Sequence, residues 1–315
     1  MLALLNIFVD NMIPVLAIAA VGVVLRRRLN VDPAMISRMM FYVFAPALAF
    51  DAVFTSDISG GDFLRVYFGT LALMAAVGAL AFFVLRCLQL VASTRQLISS
   101  REFATTLVAA FVFNGANFGL SIVSFAFGDE TLTHAVIIYI AGSTVAWTLG
   151  PYVSSSGAAS MLSSFRSVLR TPVVYALALA LALKAAGFSE LPPALSRTSQ
   201  LLADASIPLM LALLGLQLGR FHKPDRWQLL LTGTAIRLLL APLVAIVFAS
   251  LVSLDGASRS AFILQAGMPT AVLTLILAYE FDTDRDLALN LIMTTTLLSP
   301  ISLTVLIYLL QNGII

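Results

Sequence analysis

Apolar residues fill this chain in long runs, separated by short polar connections. A helix needs roughly 20 predominantly apolar residues to cross the hydrocarbon core of a bilayer. On that criterion ten runs qualify as spans, at approximately Leu4–Leu25, Ala34–Phe54, Phe63–Leu90, Phe103–Phe127, Thr131–Val153, Pro172–Phe188, Leu201–Leu218, Trp227–Leu251, Ala257–Phe281 and Asp286–Leu310. The pattern predicts an all-α polytopic membrane protein with ten transmembrane helices. The first run does not read as a cleaved leader. It contains Asp10, Asn11 and Pro14, and its basic residues Arg26, Arg27 and Arg28 follow it, whereas a signal peptide carries its charge in front.

Two runs are interrupted where polar residues are least expected. The fourth contains "NGANFG", Asn114 to Gly119, and the ninth contains "QAGMPTAV", Gln265 to Val272. Glycine, asparagine and proline weaken a helix, and in hydrocarbon an unpaired backbone group costs several kcal/mol. Non-helical backbone therefore survives at membrane depth only inside protein or beside a water-filled cavity.

Composition sets the solvent. The chain is 60% hydrophobic and 11% charged, less than half the roughly 25% charge of ordinary soluble domains. The net charge of +2 is scattered between apolar runs, so no nucleic-acid partner is expected. The lone Cys87 excludes an internal disulfide framework and a cysteine cluster, and His134 and His222 are too few for a histidine-rich metal site. No metal or cofactor is expected. No Ser/His, paired-Asp or metal constellation is visible in the spans, so an enzyme is not expected either.

Basic residues give the orientation. Connections after odd-numbered spans carry Arg26, Arg27, Arg28, Arg38, Arg86, Arg95, Arg101, Arg166, Arg170, Arg220, Lys223, Arg226 and Arg285; the opposite side carries Arg65, Lys184, Arg197 and Arg259. This places the loops after odd spans in the cytoplasm and both termini on the periplasmic side of an inner membrane. The polar stretch from Tyr152 to Arg170 then separates a first five-helix repeat, residues 1–153, from a second, residues 171–315, with a cytoplasmic linker at 154–170. An odd number of spans per half inverts one half relative to the other. Each half has a proline in its second span, Pro46 and Pro208, and a helix-breaking cluster in its fourth. Inverted repeats with interrupted helices at matching positions are the signature of secondary transporters.

A helix broken at mid-membrane points the N-terminus of its second half, with its partial positive charge, at the break. Two such breaks brought together suit a small organic anion, most simply a carboxylate. The candidate binding residues are Asn114, Gly115, Asn117 and Gly119 from the first break and Gln265, Gly267, Met268, Pro269 and Thr270 from the second. Asparagine amides offer donors and acceptors, the glycines allow close backbone approach, and Pro269 removes a donor that would otherwise be orphaned. Alone, either cluster reads as a packing device; the matched pair reads as a site.

At these residues the chain resembles the auxin efflux carrier family, whose bacterial members transport organic acids. "ISRMMFYVFAPALAFDAVF" resembles the family's second span, and "NGANFGLSI" is similar to its first crossover pattern, N-x-G-x-x-G-x-P. The run from Arg170 to Leu218 resembles the sixth and seventh spans, and "QAGMPTAVLTLILAYEFDTDRDLA" the second crossover. Ala116 and Ser121 stand where the first pattern has glycine and proline, and Thr270 to Thr274 lack the asparagine frequent in relatives. The resemblance implies a scaffold bundle of spans one, two, six and seven, through which a homodimer forms, and a mobile transport bundle of the others.

Three intramembrane charges remain. Arg237 lies about ten residues beyond Trp227, roughly 15 Å along the helix; it either balances the substrate's charge or pairs with a carboxylate and snorkels. Asp10 and Asp51 fall toward the outer side, where each either carries a coupling proton or meets water. Glu280, Asp282, Asp284 and Asp286 read as a solvated loop. The fifth span has no carboxylate, which argues against a sodium–proton antiporter. The expected function is a secondary carrier working by elevator-type alternating access, with a proton or sodium ion as a possible coupling partner and membrane lipid around it. The alternatives are a sodium-coupled bile-acid-type symporter and a membrane sensor, the latter disfavoured because only "QNGII" follows the last span.

Overall fold

The structure is a computed structural model that describes residues 2–90, 98–155, 169, 171–217 and 226–315. Arg95, Arg166, Arg170, Arg220, Lys223, His222 and most of the 154–170 linker lie outside the described residues. Among those described, every regular element is helical. Seven helices are long and apolar enough to cross a membrane: α1 (Leu2–Leu29), α2 (Pro33–Phe54), α3 (Gly60–Leu90), α5 (Gly115–Ser154), α7 (Pro193–Gln217), α8 (Trp227–Leu251) and α11 (Arg285–Gln311). Four shorter ones lie between them: α4 (Ser100–Phe111), α6 (Pro172–Ala185), α9 (Gly256–Ala266) and α10 (Leu273–Glu280).

Local chemistry sets the ends. Ser99 and Glu102 form a reciprocal capping box at the start of α4, Asp32 caps α2 through the Ala34 N–H, and Asp284 caps α11 through the Leu287 N–H at 2.9 Å. α6 stops at Gly187, whose φ of 84° is a left-handed termination that frees Phe188 from the helix. The expected loop between the fourth and fifth spans is one residue, Gly128, whose φ of 76° and ψ of −165° interrupt α5. α7 begins at Pro193 rather than Leu201, and Ser196 and Gln200 on its added turns line a cavity.

Prolines reshape three long helices. A π turn sits just ahead of each: Phe8–Met12 before Pro14, Met40–Phe44 before Pro46, and Ile236–Leu240 before Pro242. A proline ring collides with the carbonyl four residues back and offers no N–H, and one extra residue in the turn relieves both problems.

Two groups of helices pack together. α1 lies along α7, and α2 along α6 and α7. At the α1–α7 crossing Gly22 and Gly215 let the backbones touch. A Cβ on Gly22 would overlap the Ala212 carbonyl oxygen, and one on Gly215 the Ala19 carbonyl oxygen. Arg26 closes the pair by donating to the Leu216 carbonyl at 2.6 Å. The second group gathers α3, α4, α5 and α8 to α11 around Phe118, Ile137 and Phe262, all fully buried. The acidic loop is largely exposed, as expected. Asp282 pairs with Arg101 at 2.6 Å, and Glu102, buried, pairs with Arg226.

Candidate functional site

Both expected breaks are present, and they meet. After α4 the chain turns extended at Val112 (φ −90°, ψ 104°) and stays non-helical through Asn114. Between α9 and α10 it runs irregularly through Gly267 to Val272. The two segments lie antiparallel, with Phe113 opposite Thr270. The Asn114 N–H donates to the Pro269 carbonyl at 2.8 Å and the Ala271 N–H to the Val112 carbonyl at 3.0 Å. Thr270 completes the pairing: its N–H donates to Thr295 Oγ1 at 3.1 Å and its hydroxyl to the Ala109 carbonyl at 2.9 Å. Groups freed by breaking one helix are thus satisfied by the other, as a water-poor interior requires.

Four helix ends converge here. The two C-terminal ends, α4 and α9, share one cation. Arg237, fully buried on the π turn of α8, donates from Nη1 to the Ala110 carbonyl at 2.8 Å and from Nη2 to the Ala266 carbonyl. Its guanidinium carbon lies 5.7 Å from the centroid of the Phe113 ring. Among the described residues it has no carboxylate partner; two helix C-termini, each worth about half a negative charge, compensate it.

The two N-terminal ends, α5 and α10, face a cavity of about 200 Å³. Asn114, Gly115, Ala116 and Asn117 line it from one side and Ala271, Val272 and Leu273 from the other. Tyr139, Ser143 and Trp147 add a face of α5, while Phe41, Thr171 and Gln217 close it from the first packing group. Among the described residues no Asp, Glu, Lys, Arg or His is in the lining. Asn114 Nδ2 is buried there without a hydrogen-bond partner.

None of the remaining sequence candidates is in this cavity's lining. Gln265 is fully buried and donates from Nε2 to the Gly115 carbonyl at 3.3 Å. A Cβ on Gly119 would stand 2.9 Å from the Gln265 amide nitrogen, and one on Gly115 would stand 2.8 Å from the Phe113 ring. Gly267 meets Leu306, and Met268 is fully buried. These glycines make room for protein side chains. Asp51 lines a second cavity, of about 590 Å³, with Asp129, Asp204 and Pro208, and accepts a hydrogen bond from Ser199 at 3.2 Å. Asp10 is exposed. Tyr139, Ser143 and Trp147 escaped the sequence reading although their four-residue spacing marks one helix face. Phe41, Thr171 and Gln217 have no such signal.

A chain whose described elements are all helical, with membrane-length apolar helices and two interrupted helices crossing in its interior, is a multi-pass membrane protein of the transporter kind. Residues 158–307 match the family described as membrane transport protein. An uncharacterized transporter of Methanothermobacter thermautotrophicus is 29% identical over 276 residues, 86% of this chain and 87% of the relative. An uncharacterized transporter of Methanocaldococcus jannaschii is 22% identical over 207 residues, 64% of this chain and 67% of the relative. Over its second half the chain is thus similar to this membrane transport family, and over much of its length to these two transporters.

Proposed function

We propose that the chain is a secondary carrier of a small organic anion, a carboxylate, held at the crossing of the broken helices. One observation carries the reading: two helix N-termini and Asn114, whose buried amide nitrogen lacks a partner, border a shared cavity with no acidic side chain among its described lining residues. Each N-terminus is equivalent to about half a positive charge, so together they match one carboxylate. The two opposing C-termini are already neutralised by Arg237.

The ten-span reading follows if α4 with the start of α5, and α9 with α10, are each one interrupted crossing and the rest of α5 and α6 are further crossings. The inverted five-plus-five arrangement is supported by the matching places of the two breaks. In this reading α1, α2, α6 and α7 form the scaffold through which a homodimer assembles, and the other group is the moving unit of an elevator in an inner membrane. Asp51, Asp129 and Asp204 in the outer cavity are where a coupling proton or sodium ion is taken up.

Purified protein in proteoliposomes should show saturable uptake of one or more small carboxylates and none of the matching amines or amides. Asn114→Ala should weaken binding of the carboxylate so found about five- to 150-fold, the equivalent of roughly 1–3 kcal/mol for an unsatisfied buried group, in a folded, monodisperse protein. Tight binding by Asn114→Ala would place the site elsewhere.

A further inference from the structure

Four helix ends and one arginine set the charge of the crossing. A helix end is worth about half an elementary charge, positive at the N-terminus and negative at the C-terminus. The N-termini of α5 and α10 therefore offset the C-termini of α4 and α9, and Arg237 is the surplus. The crossing as a whole amounts to about one positive charge.

Where that charge can be felt follows from the contacts. Both Nη groups of Arg237 are taken up by the Ala110 and Ala266 carbonyls, and its guanidinium carbon lies 5.7 Å from the centroid of the Phe113 ring. Phe113 is in the lining of the cavity of about 200 Å³, and Arg237 is not. A solute there meets the two N-termini and Asn114 on one part of the wall, and the rings of Phe41, Tyr139 and Trp147 on another. Gln217, at the end of α7, adds a long neutral side chain. Among the described residues no cation stands in the lining to meet a second negative group.

We infer, resting on the reading of the crossing as a carboxylate site, that it takes monoanions: a carboxylate whose remainder is uncharged, with dicarboxylates admitted only after one carboxyl has taken up a proton. One carboxylate brings the crossing to neutrality. A second in the same small cavity sits against aromatic rings with no cation beside it, and it repels the first. A hydroxyl or an ester group in its place meets neither obstacle.

Calorimetric titration of the purified full chain tests this, with malonate, succinate and glutarate each compared with its own monomethyl ester. The ester keeps the carbon skeleton, gains a methyl group and loses one charge, so steric exclusion works against it. At neutral pH at least one ester should bind about 30-fold or more tighter than its diacid, because the second charge is buried without a partner. As pH falls through the diacid's second pKa, its affinity should rise toward that of the ester, whose own affinity stays level. Gln217→Lys puts a cation in the lining and should narrow the gap about tenfold. Gln217→Met, of similar length and uncharged, should leave it as it is. A gap that Gln217→Met narrows as much as Gln217→Lys comes from shape and overturns the charge limit. Diacids that bind as tightly as their esters at neutral pH, and lose that binding in Asn114→Ala, overturn the charge limit and leave the carboxylate site standing. Esters that bind equally to the parent and to Asn114→Ala, or that do not bind at all, overturn both.

Discussion

Arg237 shows how one side chain holds two broken helices in register. Its guanidinium presents donors in a fixed fork and here divides them between the Ala110 and Ala266 carbonyls, the last turns of α4 and α9. Arg237→Met keeps much of the bulk and leaves both carbonyls without a donor. With about 1.5–3 kcal/mol for each hydrogen bond to a charged group, the variant should melt well below the parent in detergent. Arg237→Lys, able to reach one carbonyl, should fall between them. Equal melting of Arg237→Met and the parent would show that the fork carries no stability. Gly119 poses a steric question at the same crossing. Gly119→Ala should cost about 1–3 kcal/mol, the usual range for an overpacked interior, because its methyl meets the Gln265 amide. In a Gln265→Ala background the same change should cost less than half as much. Additive costs in a double-mutant cycle would mean that the two residues do not share space.

At the scale of elements the glycines separate into those that matter for backbones and those that do not. Gly22 and Gly215 face each other with their Cα atoms near contact, and a methyl on either would strike a carbonyl oxygen of the partner helix. No rotamer change relieves a clash with backbone, so Gly215→Ala should force α1 and α7 apart. A steep loss of melting temperature or of folded yield is expected. Gly78 serves as the control: a Cβ there would meet the Phe111 ring at an ordinary 3.7 Å, and alanine is the better helix former. Gly78→Ala should therefore be neutral or stabilising by up to about 1 kcal/mol. If both variants melt alike, close backbone approach is not what joins the two helices. The prolines belong to this scale as well. Pro14, Pro46 and Pro242 each follow a π turn, so they redirect helices rather than end them, and Pro242 thereby turns Arg237 toward the crossing.

For the whole molecule, what the sequence discloses depends on whether a feature is local. Both breaks were legible because Asn114 to Gly119 and Gly267 to Thr270 combine residues that disfavour a helix within a few positions. The cation binding their carbonyls was visible as a buried charge, but its partners were not, since a carbonyl is common to every residue. Phe41, Thr171 and Gln217 reach the cavity only because α2, α6 and α7 pack beside it. The outer cavity was likewise hidden, being built from α2, α5 and α7 together. It runs along α7 from Ser196 to Pro208, while the crossing cavity meets the same helix at Gln217, roughly 13 Å beyond Pro208. Between them the π turn Gly115–Leu120 packs on α7. One stretch of chain therefore touches both spaces: Ala116 lines the crossing cavity and Ser124 the outer one. In a Cys87→Ala background, Ala116→Cys and Ser124→Cys, eight positions apart, should react with a membrane-impermeant thiol reagent from opposite faces of the membrane. The basic-residue pattern assigns Ala116 to the cytoplasmic face and Ser124 to the periplasmic one. A transported carboxylate at saturation should slow labelling of Ala116→Cys and leave the initial rate at Ser124→Cys less affected, because only the first position borders the two helix N-termini. Labelling of both from one face would mean that the two cavities are a single continuous channel, which is incompatible with alternating access.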